Sequence, residues 1–81
     1  MLDVQKEVDQ LVVEIRRLGK TEDDGKFGVN FGVLFDDDRC ANIFEALVGT
    51  LKAAKRRGKI DYKGQLLLKG VHDNVFIQLM E

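Results

Sequence analysis

The chain has 81 residues, 44% of them hydrophobic and 33% charged, with a formal net charge of −1 and no proline. That balance describes a globular chain rather than a disordered or membrane-spanning one, and at this length folding buries only about 60–65% of the surface the unfolded form exposes. A single cysteine excludes an internal disulfide, and "MLDVQKEVDQ" has no apolar run flanked by positive charge, so the expected setting is a reducing compartment, the cytoplasm, with the nucleus left open.

Val4, Val8, Leu11, Val12, Ile15 and Leu18 recur at helical spacing, which predicts a first helix over Asp3–Leu18, with Asp3 as its N-cap and Gly19 as its stop. Asp24-Gly25 marks a turn. Phe27, Val29 and Phe31 then alternate, predicting a short strand, and residues 30–36 read as a short helix capped by Asn30. Asp37 or Asp38 opens the main helix, which runs to a stop at Gly58. Its apolar stripe is Cys40, Phe44, Leu47, Leu51 and Ala54, with Ile43 and Val48 beside it. Val8, Leu11, Ile15, Phe44, Leu47 and Leu51 are expected to share one core.

In the tail, Leu66–Leu68 and Val75–Met80 flank turn residues Gly70, Asp73 and Asn74, which predicts an antiparallel hairpin. Val75, Ile77 and Leu79 should face the core and Phe76 the other side. Residues 1–81 thus read as one α+β domain, winged-helix-like, with three helices and a small antiparallel sheet in the order helix–strand–helix–helix–strand–strand. The apolar stripes are consumed by one core and no heptad seam persists, so a monomer is expected.

Charge is divided along the chain. Glu22, Asp23, Asp24, Asp36, Asp37 and Asp38 form an acidic block broken only by Lys26. Lys52, Lys55, Arg56, Arg57, Lys59 and Lys63 form a basic block broken only by Asp61. Acids at the start of the main helix and cations at its end both complement the helix dipole, by roughly 0.3–1 kcal/mol each when exposed. Part of the sorting therefore needs no partner.

The residues that carry chemistry form no catalytic set. Cys40 sits on the apolar stripe and reads as a small core residue. His72, the only histidine, falls in the hairpin loop and lacks the companions of a nucleophile–base pair or a zinc site. Three adjacent aspartates point in different directions and suit helix capping better than a calcium loop. "GKFGVNFG" lacks the lysine–hydroxyl pair of a phosphate loop. No catalytic residue, cofactor or metal is expected.

The far face of the main helix says more. Asn42, Glu45, Ala46, Gly49, Lys52, Ala53 and Arg56 point away from the apolar stripe. A solvated face usually carries long charged side chains, and a mid-helix glycine costs about 1 kcal/mol relative to alanine. Close approach by another element of the domain and close approach by a partner protein explain the small residues equally well. The candidate docking surface is the track Ala46, Gly49 and Ala53 with the cations Lys52, Lys55, Arg56 and Arg57.

"FGVLFDDDRCANIFEALVGTLKAAKRRGK", "GQLLLKGVHD" and "VDQLVVEIRRLG" together cover nearly the whole chain. They resemble the Costars family of small eukaryotic proteins, which is similar to the C-terminal actin-binding region of the striated muscle activator of Rho signalling. The resemblance implies a winged-helix-like fold, actin as partner and a part in regulating the actin cytoskeleton, in the cytoplasm. It brings no residue-level site motif. Two other functions stay open: an adaptor for a non-actin protein, and a winged-helix nucleic-acid reader. The second is disfavoured because Asp36, Asp37 and Asp38 would face phosphates and the net charge lacks a basic footprint. No membrane partner is expected.

Overall fold

The structure, a computed structural model, describes residues 3–81, so Met1 and Leu2 of the expected 1–81 domain lie outside the described residues. Helix α1 spans Val4–Leu18, and the Asp3 carboxylate accepts the Lys6 N–H at 3.1 Å as its N-cap. Strands β1 (Lys20–Thr21) and β2 (Phe27–Asn30) lead into α2 (Phe31–Asp36), α3 (Asp38–Ile43) and α4 (Leu47–Arg56). Strands β3 (Ile60–Asp61) and β4 (Phe76–Leu79) close the chain. The sheet is antiparallel throughout, in the order β1-β2-β4-β3.

The core is one cluster between the sheet and the helices. Val8, Leu11 and Ile15 of α1 meet Phe31 and Leu34 of α2, Leu51 and Ala54 of α4, and Ile77 and Leu79 of β4. Phe44 is buried with them, while Leu47 is only half-buried against the cluster. Phe76, one residue out of step with Ile77, faces away from the core beside Asn30 and is partly exposed, as alternation requires. Gly28 is buried where β2 crosses β4, and a Cβ there would meet the Ile77 carbonyl and the Gln78 Cα at 2.9 Å. No helix among the described residues is long and apolar enough to cross a membrane.

Three expectations need correction. The main helix is two helices, so there are four among the described residues rather than three. Phe44 ends α3 in extended backbone (φ −102°, ψ 122°) and Ala46 precedes α4 at φ −143°, ψ 86°. The interruption is held from α1. The Glu7 carboxylate accepts the Glu45 N–H at 3.4 Å and the Thr50 hydroxyl at 3.0 Å, so α4, whose own Ala46 offers no side-chain cap, receives an acid at its N-terminus from another helix.

The second correction concerns the tail. A strand–loop–strand unit forms, but its first arm is β3, paired Ile60 to Leu79 and Asp61 to Gln78, not Leu66–Leu68. Backbone groups around Leu68 are spent locally. Its N–H goes to His72 Nδ1 at 2.9 Å, and its carbonyl accepts from Val71 and His72 at 3.1 and 2.8 Å. Leu68 therefore has neither its N–H nor its carbonyl free for a ladder. Leu67 alone reaches the core, with Leu66 and Leu68 exposed on either side. The third correction is the sheet, which among the described residues has four strands because the two-residue β1 and β3 join it.

Candidate functional site

The buried arc of α4 comprises Thr50, Leu51, Ala53 and Ala54. The break at Phe44–Ala46 and the Glu7–Thr50 hydrogen bond turn the helix so that its Thr50–Ala53 side meets the rest of the domain. Ala53, expected on the free face, is therefore inside. Ala46, Gly49, Lys52, Arg56 and Arg57 are exposed. A Cβ on Gly49 would meet only the Ala46 Cβ, at an ordinary 3.7 Å. The glycine thus leaves open surface rather than room for a neighbouring helix of this chain.

Lys55 also departs from expectation. Its ammonium is not free but donates to the Tyr62 and Gly64 carbonyls and lies 4.2 Å from the centre of the Tyr62 ring. It straps residues 62–64 to the last turn of α4. Tyr62 is buried, and burial pushes its phenol above the usual range, with the Arg56 charge pulling the other way. Between the strap and the helix runs a groove of about 340 Å³, lined by Lys52, Lys55, Arg56, Tyr62, Gly64 and Gln65, without a carboxylate. Among the described residues Lys52, Arg56, Arg57 and Lys63 have no ion-pair partner, nor do Lys6, Arg16, Lys20 and Lys26, whereas Arg17, Arg39, Lys59 and Lys69 each sit against an acid; what sets the first group apart is that it clusters at one end of α4.

A second polar feature has no counterpart in the sequence reading. Glu14 is fully buried and its carboxylate accepts from Gln10 Nε2 (2.6 Å), Arg17 Nε (2.7 Å) and Arg39 Nε (3.1 Å). Arg17 continues to Asp37 at 2.6 Å, and Asp37 caps α3 by accepting the Cys40 N–H at 3.0 Å. Burial pushes the Glu14 carboxyl upward, but the hydrogen bonds from Arg17 and Gln10 and the charges of Arg39 and Arg17 outweigh it, and the group lies below the usual carboxylate range. Asp37 is lowered too, by Arg17 first and then by the Cys40 N–H. The signal was present: Glu14 falls three residues after Leu11 and four before Leu18, inside the apolar stripe.

Glu14, Asp37 and Cys40 place donor atoms within 4.8 Å of one another. The carboxylates are already engaged by arginines and a backbone N–H, and burial, with the Asp37 carboxylate beside it, pushes the Cys40 thiol up to about 12. A protonated thiol beside occupied carboxylates suits a structural knot better than a metal centre. His72 has its Nδ1 committed to Leu68, and no hydrogen bond joins it to Cys40 among the described residues.

A sequence model of the Costars family matches residues 3–80. The chain is 66% identical to the "Costars family protein ABRACL" of Xenopus laevis and 64% identical to that of Mus musculus, each over 80 residues and 99% of both chains. It also superposes on the solution structure of human HSPC280 protein with a TM-score of 0.88, at 61% identity, covering 99% of this chain and 94% of that one.

Proposed function

The chain belongs to the Costars family, and on that premise we propose that it is a non-enzymatic binding module that associates with actin and regulates the actin cytoskeleton. Actin enters through the family's resemblance to an actin-binding region. The observation that carries the surface is the open face of α4, where Ala46 and Gly49 leave space beside the unpaired cations Lys52, Arg56 and Arg57. Small residues admit a partner closely and the cations steer it and fix its register. Ala53 is excluded from contact by burial, and Lys55 acts indirectly by holding the neighbouring loop. We place the protein in the cytoplasm on the cytoskeleton, as a monomer of one domain. Its fold is winged-helix-like, with β3 and β4 as the arms and the loop 62–75 in the place of the wing. An adaptor for a non-actin protein would use the same face. A nucleic-acid reader is disfavoured, because the helix that would enter a groove is broken at residues 44–46 and begins beside Asp36, Asp37 and Asp38.

Co-sedimentation with actin filaments at two salt concentrations, with duplex DNA as the control, tests this reading. Wild type should pellet with filaments, less so at high salt. Gly49→Leu should stay folded and lose binding by bulk, and Arg56→Glu with Arg57→Glu should weaken binding and flatten its salt dependence. Variants that stay folded and pellet like wild type would move the actin contact elsewhere.

A further inference from the structure

We infer that the groove between α4 and residues 62–65 receives a short, extended acidic segment of a partner protein, with carboxylates at alternate positions. The inference rests on the docking role proposed for α4 and names the chemistry of what docks there. Three features select that occupant. First, the groove wall holds Lys52, Lys55 and Arg56 and no acid, although the chain has 14 carboxylate residues to place. Second, Lys52 and Arg56 stand one helical turn apart, about 5–6 Å between Cβ atoms. Alternate side chains of an extended strand are separated by about 6–7 Å. Carboxylates two residues apart on such a segment therefore reach both cations at once, while Gln65 offers an amide to its backbone. Third, Leu66, next in the chain after Gln65, is 57% exposed and gives an apolar neighbour of the carboxylates a surface to lie on.

Lys55 has a different part. Its donors go to the Tyr62 and Gly64 carbonyls, so it is a positioning residue that keeps the loop wall in place before the partner arrives. A nucleic-acid backbone is the less suitable polyanion. It would run past this short groove, would gain little from one pair of cations, and would have no use for Leu66.

The test is fluorescence anisotropy on the full chain with a labelled peptide alternating Glu and Ser and ending in Leu, its Gln-for-Glu counterpart, and a labelled DNA duplex. The Glu peptide should bind with salt-sensitive affinity and the other two should not. Lys52→Ala with Arg56→Ala should weaken the Glu peptide by about tenfold and leave backbone hydrogen exchange at residues 62–66 unchanged. Lys55→Met should weaken it while speeding exchange across those residues, a readout that a direct contact would not move. Equal binding of the Gln peptide, tight binding of the duplex at the same cations, or wild-type affinity in the double variant would overturn the inference. Wild-type affinity in Lys55→Met would remove the positioning role. If filaments fail to pellet the chain while the Glu peptide binds, the actin reading falls and the groove stands. If filaments pellet it and the peptide does not bind, the reverse holds.

Discussion

Glu14 is buried without exposed side-chain surface and still ionised, because three donors from two helices converge on it. Its lowered proton affinity, with that of Asp37, sets a direction for stability. A carboxyl that binds protons more weakly when folded contributes stability above its unfolded value and loses it as pH falls through the folded one. The protein should therefore hold its Tm near neutrality and lose it progressively below about pH 4, the ordinary carboxylate range. Glu14→Gln should cost about 1.5–3 kcal/mol at pH 7, the range of a hydrogen bond to a charged group, and should flatten the acid limb. Thermal melts followed by circular dichroism at pH 7 and pH 3 check both. An acid limb as steep in Glu14→Gln as in wild type would assign the pH dependence to the other lowered carboxylates, Asp37 held by Arg17 and Asp73 held by Lys69.

Two glycines show how differently elements use the same residue. Gly28 lies where two strands approach backbone to backbone, so Gly28→Ala has nowhere to put a methyl group and should cost about 1–3 kcal/mol or more. Gly49 faces open space on α4, so Gly49→Ala should stabilise by roughly 0.5–1 kcal/mol through helix propensity alone. Urea unfolding of the two variants should move the midpoint in opposite directions. The elements were unequally legible. The first helix was plain from its period, since fifteen residues repeat one apolar face. The break at Phe44–Ala46 was not, because Cys40, Phe44, Leu47 and Leu51 keep helical spacing across it and the acid that holds it is Glu7, distant in sequence. β3 was missed because two residues carry no period, and Leu66–Leu68 was misread because hydrophobicity alone does not reveal that His72 takes the Leu68 N–H. The same tertiary turn of α4 explains the site. Ala46, Gly49, Lys52, Arg56 and Arg57 stand exposed, where the residues alone leave internal packing and a partner equally open, while Ala53 went inside and Lys55 was taken up by Tyr62.

At the scale of the whole molecule, the outer strands are the places where two copies could join. Both β1 and β3 are two residues long and carry Lys20 and Asp61, a short and charged edge that discourages pairing between chains. Light scattering at micromolar concentration should give a monomer, and a stable dimer would direct attention to partly exposed Phe76 on the open sheet face. The strap from Lys55 has an optical consequence. Tyr62 is the chain's one tyrosine and there is no tryptophan, so its longest-wavelength absorbance and nearly all of its fluorescence come from a single ring pinned beneath an ammonium group. Emission intensity, quenching by iodide and the appearance of tyrosinate at alkaline pH are then not averages over the protein. Each reads the seating of one loop, at the rim of the groove where the partner segment is proposed to lie, without a label being attached.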